Sequence, residues 1–163
     1  EIMNRWKGWL DELKLPFILN QSIVLGLHRE HKLFESERVM EFAVLGEDLK
    51  DKLDELKTNP KYQFNYESDH SAPIGLLYFR DMELQPIYFK NGKGVYNLLS
   101  NQCLVYDEAL LKTWSKINYK GVDWNAPSNI PEFLTQAYGD WTVPNKGYNW
   151  KEHANNIRLW EKI

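Results

Sequence analysis

Apolar residues recur along the chain at either helical or strand spacing, and each change of period marks a new element. Met3, Trp6, Leu10 and Leu13 return every three or four positions between polar neighbours. This predicts an amphipathic helix over residues 4–14, stopped by Pro16. Two apolar runs, 17–20 and 23–25, enclose the polar Asn20-Gln21-Ser22. They predict a strand, a turn and a short helix running through Gly26 to His31. Residues 39–45 are apolar apart from Glu41, which predicts a central strand carrying one inward carboxylate. Gly46-Glu47-Asp48 then opens a helix with Leu49, Leu53 and Leu56 on one face. Its acids stand in the first turn, where the helix dipole favours them, and Asn59-Pro60 closes it.

Residues 62–66, 74–79 and 86–89 read as strands separated by polar turns at 67–71 and 80–83. Asn91-Gly92 is a two-residue hairpin signal joining 87–90 to 93–97. Residues 107–112 predict a short helix or turn, and 117–119 and 122–124 flank a turn at Lys120-Gly121. Asn129 and Glu132 have capping-box spacing, Pro131 lies in the first turn, and Ile130, Phe133, Leu134 and Ala137 share a face before Gly139. These signals together specify a helix. After Pro144, a helix over 153–162 is expected, with Tyr148, Trp150 and Trp160 strapped over the body. With no repeat or linker, residues 1–163 read as a single α/β (α+β) domain with a mainly antiparallel or mixed sheet.

Composition narrows the function classes. The 163 residues are 43% hydrophobic and 26% charged, with a net charge of −3, as expected of an ordinary globular chain. No run concentrates Lys and Arg as phosphate neutralisation requires, so nucleic acid is not an expected partner. No apolar run approaches the roughly 20 residues of a membrane span. The lone Cys103 cannot form an internal disulfide or a thiolate metal site and is compatible with a reducing compartment. A soluble, cytoplasmic location is therefore expected, while a start at Glu1 rather than Met is compatible with a fragment of a longer chain. Seven Trp and nine Tyr imply either a thick aromatic core or sugar-facing surfaces.

Three stretches resemble one family. Residues 125–144, Asn-Ala-Pro-Ser-Asn-Ile-Pro-Glu-Phe-Leu-Thr-Gln-Ala-Tyr-Gly-Asp-Trp-Thr-Val-Pro, closely resemble the closing signature of LicD and fukutin-related proteins, with Tyr138, Gly139, Asp140, Trp141 and Pro144 matching it. Val24-Leu25-Gly26-Leu27-His28-Arg29-Glu30 is similar to the family's Leu-Leu-Gly-x-x-Arg-Glu stretch, and residues 32–45 align on its metal-binding strand. The matches span roughly residues 5–150. The resemblance implies a nucleotidyltransferase-like mixed sheet flanked by helices. It also implies kinship with enzymes that move phosphocholine or phospho-alditol groups from CDP-linked donors onto glycans, using Mg²⁺ or Mn²⁺ held by carboxylates.

On this alignment the acids of the strand are Glu37 and Glu41, with Val39 in place of the middle Asp. In a regular strand those glutamates stand roughly 13 Å apart, at about 3.3 Å per residue, too far to chelate one ion. The Gly-Ser/Thr turn falls on Ser22-Ile23 and the neighbouring-strand Asp on Gly75. The resemblance therefore implies a family member that keeps the scaffold with degenerate catalytic motifs. A rebuilt transferase is the alternative, with Glu37, Glu41, Asp69 and Arg29 around one Mg²⁺ or Mn²⁺ and Ser22 and Gly26 at a CDP-linked donor and glycan acceptor. A module binding a glycan or a partner protein is a third reading.

The other candidates each admit two roles. His28 and His31, near Glu35 and Glu37, are either a zinc site or ordinary packing. Asp69 and His70 are either an acid–base pair or a capped turn. Arg29 is either a phosphate fork or the partner of Glu30. Glu41 is either a metal ligand or a buried carboxylate paired with Arg29 or Arg38. Trp124 and Trp141 are either a sugar platform or core.

Overall fold

The computed structural model describes residues 1–61, 64–67, 76–97 and 102–163. The fold is α/β with a mixed sheet. In chain order its elements are α1 (Ile2–Glu12), β1 (Phe17–Leu19), α2 (Gln21–Leu25), a π-helical turn (Gly26–Glu30), β2 (Met40–Leu45) and α3 (Gly46–Thr58). Strands β3 (Asn65–Glu67), β4 (Leu76–Phe79), β5 (Met82–Lys90), β6 (Lys93–Asn97) and β7 (Gln102–Asp107) follow, then α4 (Ala109–Lys112). The hairpin β8 (Trp114–Tyr119) and β9 (Val122–Pro127) leads to α5 (Ile130–Tyr138), α6 (Trp150–His153), β10 (Ile157–Leu159) and a terminal 3₁₀ turn (Trp160–Lys162).

Among the described residues the main sheet runs β1-β2-β5-β6-β7-β10, with β4 also on β5 and β3 on β4. Only the β2–β5 pairing is parallel; β1–β2, β5–β6, β6–β7 and β7–β10 are antiparallel. The parallel pair is possible because α3 carries the chain away from the end of β2, as a crossover requires. Side chains alternate across these strands. Phe42, Val44 and Leu84 point to the face covered by α3, which α1 joins through Trp6 on Phe79, whereas Glu41, Ala43, Glu83 and Gln85 point to the face of α2 and α5.

Local chemistry explains most element ends. The side chain of Asn129 accepts from the Glu132 N–H at 3.2 Å and caps α5, and Gly139 ends it at φ 69°. Two of the two-residue hairpins, at Asn91-Gly92 and Lys120-Gly121, place two successive residues at positive φ, as type I′ turns require. Trp6, fully buried, packs edge-on against Trp9 and Phe79, and Phe17 meets Phe42 and Trp124.

Three expectations change. The polar turn expected at 80–83 is confined to Arg80-Asp81, and Met82 and Glu83 begin β5, paired with β2 and β4. The run 102–107, not predicted as a strand, is β7. No continuous helix spans 153–162: α6 ends at His153, Ile157–Leu159 finds the open edge of β7 and pairs there, and only a 3₁₀ turn follows. Tyr148 does lie against Tyr138, and Trp160 against Tyr88, as straps over the body. No helix among the described residues is long and apolar enough to cross a membrane.

Candidate active site

Between the inner face of the sheet and the segment that follows α5 lies a cleft of about 770 Å³. Its floor carries Glu41, Glu83 and Gln85, and the opposite wall carries Tyr138, Trp141 and Tyr148. Glu41 and Glu83 are direct partners in the parallel ladder, so both carboxylates leave the same face of strands about 4.8 Å apart.

The local electrostatics are unusual. Burial pushes the Glu41 carboxyl up to about 8, and the neighbouring Glu83 and Glu37 carboxylates add to the rise. Among the described residues no Lys or Arg forms an ion pair with Glu41, so the pairing with Arg29 or Arg38 is corrected. Arg29 instead donates from Nε to Glu30 at 2.6 Å and from Nη1 to the Trp141 carbonyl at 2.8 Å. It lines the cleft while tying the π-helical turn to the segment after α5. Lys146 is a second cation on that wall.

Glu37 lies in the loop before β2, not on the strand, so the strand spacing that separated it from Glu41 does not apply. Ser22 Oγ donates to Glu37 Oε2 at 2.7 Å, an arrangement that occupies the serine expected at substrate. Burial raises the Glu37 carboxyl above its ordinary range, and the Ser22 bond opposes that rise. Gly26 serves packing: a Cβ there would stand 2.8 Å from the Lys32 carbonyl oxygen, so only glycine lets the 32–34 loop fold back over the helix. Asp69, His70 and Gly75 lie outside the described residues.

The aromatic and histidine candidates separate. Trp124 is buried in the core beside Phe17 and offers no platform, whereas Trp141 lines the cleft. His28 packs on Trp141, its ring centroid 5.3 Å away, and burial together with His31 lowers its basicity. Tyr106 and Tyr138 are raised well above the usual phenol range, chiefly by burial and in small part by Glu41.

Two residues at the cleft floor, Glu83 and Gln85, were not anticipated, nor was Asn20, which is fully buried behind them. Glu83 had a readable signal, an acid between Met82 and Leu84 before Pro86, but the adjacent Arg80-Asp81 made the stretch look like a turn. Asn20 Nδ2 donates to Gln85 Oε1, and Gln85 Nε2 donates to Glu83 Oε1.

Among the described residues no three His, Cys, Asp or Glu side chains are grouped to hold a metal by themselves. The Glu41–Glu83 pair does fit a hard divalent cation, which Mg²⁺-type sites commonly bind with one or two carboxylates, leaving the remaining positions to water and ligand phosphate. A half-buried carboxyl held up by desolvation and neighbouring carboxylates is the environment that a cation relieves. No protein-family model matches the chain, and no curated protein matches it with significant similarity.

Proposed function

We propose that the chain is a LicD/fukutin-like nucleotidyltransferase-fold domain, related to enzymes that transfer phosphocholine or phospho-alditol groups from CDP-linked donors to cell-surface glycans, with degenerate family-type catalysis. The observation that carries this reading is the register of Glu41 with Glu83 at the floor of a cleft. The helix of the Leu-Gly-x-x-Arg-Glu stretch and the Tyr-Gly-x-Trp segment supply its other walls. The three stretches that resemble the family in sequence thus each contribute residues to one cavity.

In this reading Glu41 and Glu83 hold one Mg²⁺ or Mn²⁺. When bound, that ion would neutralise charge on the phosphates of a nucleotide in the cleft. Lys146 and the Arg29 side chain add positive potential at the wall, and Tyr138, Trp141 and Tyr148 offer apolar faces to the remainder of the ligand. Degeneracy is supported by Val39, which cannot ligate, and by Glu37, which is engaged with Ser22.

A second reading is favoured by Glu83: an active transferase whose site is rebuilt around one cation. Calorimetric titration of CTP and CDP-choline, with and without Mn²⁺, tests both readings on wild type and Glu41→Gln. Mn²⁺-dependent binding that the substitution abolishes is expected. CMP release from CDP-choline under the same conditions would favour the active enzyme, and its absence the degenerate one. No heat with either nucleotide in a folded sample would overturn CDP-donor chemistry and leave a glycan- or protein-binding module.

A further inference from the structure

We propose that the buried amides of Asn20 and Gln85 are a positioning pair that fixes the Glu83 carboxylate beside Glu41 to receive a divalent cation. The inference rests on the reading of Glu41 and Glu83 as a cation site. Asn20 and Gln85 are 0% and 2% exposed, and they are two of only three buried polar or charged residues among those described. Apart from Glu41 and Glu83, the residues around them on β1, β2 and β5 are apolar, among them Ile18, Leu19, Ala43 and Ile87, and burying an amide is costly unless its hydrogen bonds are met.

The fold gives Asn20 a cheaper use that it does not take. It stands at the N-cap of α2, where an Asn side chain ordinarily accepts from the first-turn N–H groups, yet it makes no cap hydrogen bond. Among the described residues its Oδ1 has no partner, and its Nδ2 is directed to Gln85 instead. The two amides meet above β2, where the residue aligned with Gln85 is Ala43. Its methyl group is small enough to leave the bridge room.

The hydrogen bonds have a direction. Asn20 donates to the Gln85 oxygen, which turns the Gln85 NH₂ group toward Glu83, two residues earlier on the same face of β5. That donor fixes one carboxylate oxygen and with it the rotamer of Glu83. A long acidic side chain is thereby held where its strand partner Glu41 can share an ion. A purely structural role is a poor account, since two apolar side chains of similar shape would fill the same space with no orphaned acceptor.

The test uses the whole chain and Mn²⁺ alone, with free Mn²⁺ read by electron paramagnetic resonance and thermal unfolding followed in chelator. For the double variant Asn20→Leu with Gln85→Met, the expected result is an unfolding temperature equal to or above wild type, with Mn²⁺ affinity reduced at least ten-fold. Asn20→Ser gives a second route, because serine caps α2 well but is too short to reach Gln85; a reduced Mn²⁺ affinity is expected there too, with the unfolding temperature lowered because the buried Gln85 oxygen loses its donor. Wild-type Mn²⁺ affinity in folded variants would overturn the proposal, as would lowered stability with affinity unchanged. Failure of the underlying reading looks different: wild type itself then binds no Mn²⁺, or Glu41→Gln binds it equally well.

Discussion

Glu41 concentrates the conflict between folding and function in one side chain. Its carboxyl sits at about 8 in the folded chain against an ordinary 4.5, so between those values the folded state holds a proton that the unfolded chain has released. Stability contributed by the protonated form is complete below about pH 4.5, falls as pH rises toward 8, and then levels off. Glu41→Gln removes that slope. In chelator, the variant is expected to gain on wild type progressively from pH 5 to 8, by a few kcal/mol at the upper end, as read from urea unfolding at each pH. A pH-independent difference would show that Glu41 ionises freely. Serine and arginine illustrate a related point: Ser22 and Arg29 were legible as polar residues near a helix, but their partners, Glu37 and the Trp141 carbonyl, are 15 and 112 residues away.

At the scale of elements, local signals were most reliable where the chemistry is contained within a few residues. The α5 helix follows from Asn129, Pro131, Glu132 and Gly139, all inside one eleven-residue window, 129–139. Asn129→Ala is expected to cost about 1 kcal/mol and to lower the unfolding temperature by roughly 2–4 °C, measurable by calorimetry. The Asn91-Gly92 hairpin was equally legible, since positive φ at both positions is a local requirement. Strand β5 was legible only over residues 86–89; its first half was not, because Glu83 and Gln85 are polar for a reason that lies across the sheet. Glu83 and Gln85 face a cleft rather than solvent, and an alternating polar residue looks the same in either case.

For the whole molecule, the arrangement depends on pairings between segments distant in sequence. Strand β10 covers β7 from about fifty residues further along the chain, with Ile157 opposite Leu104 and the Asn156 side chain donating to the Val105 carbonyl at 3.0 Å. Lys90 adds a hydrogen bond to the Trp160 carbonyl at 2.9 Å and lies over its ring. Truncation after Ala154 is expected to expose the β7 edge, lower the urea midpoint and promote self-association, because an uncovered strand presents unpaired N–H and C=O groups. Sedimentation velocity and urea unfolding together check this. An unchanged monomer of wild-type stability would show that the tail is dispensable.

The amino-acid sequence by itself determined the helices α1, α3 and α5, the hairpin turns at Asn91-Gly92 and Lys120-Gly121 and the place of Glu41 in an otherwise apolar strand, because periodicity, capping and turn geometry act over a few residues. Tertiary structure alone decided that β2 pairs in parallel with β5, that Glu83 therefore stands beside Glu41, and that Asn20 reaches Gln85 rather than capping its own helix. It also decided that residues 157–159 are a strand. Each of these outcomes depends on which distant segment supplies the missing hydrogen-bond partner or neighbouring charge, a choice made by the packing of the whole sheet and not by any local pattern.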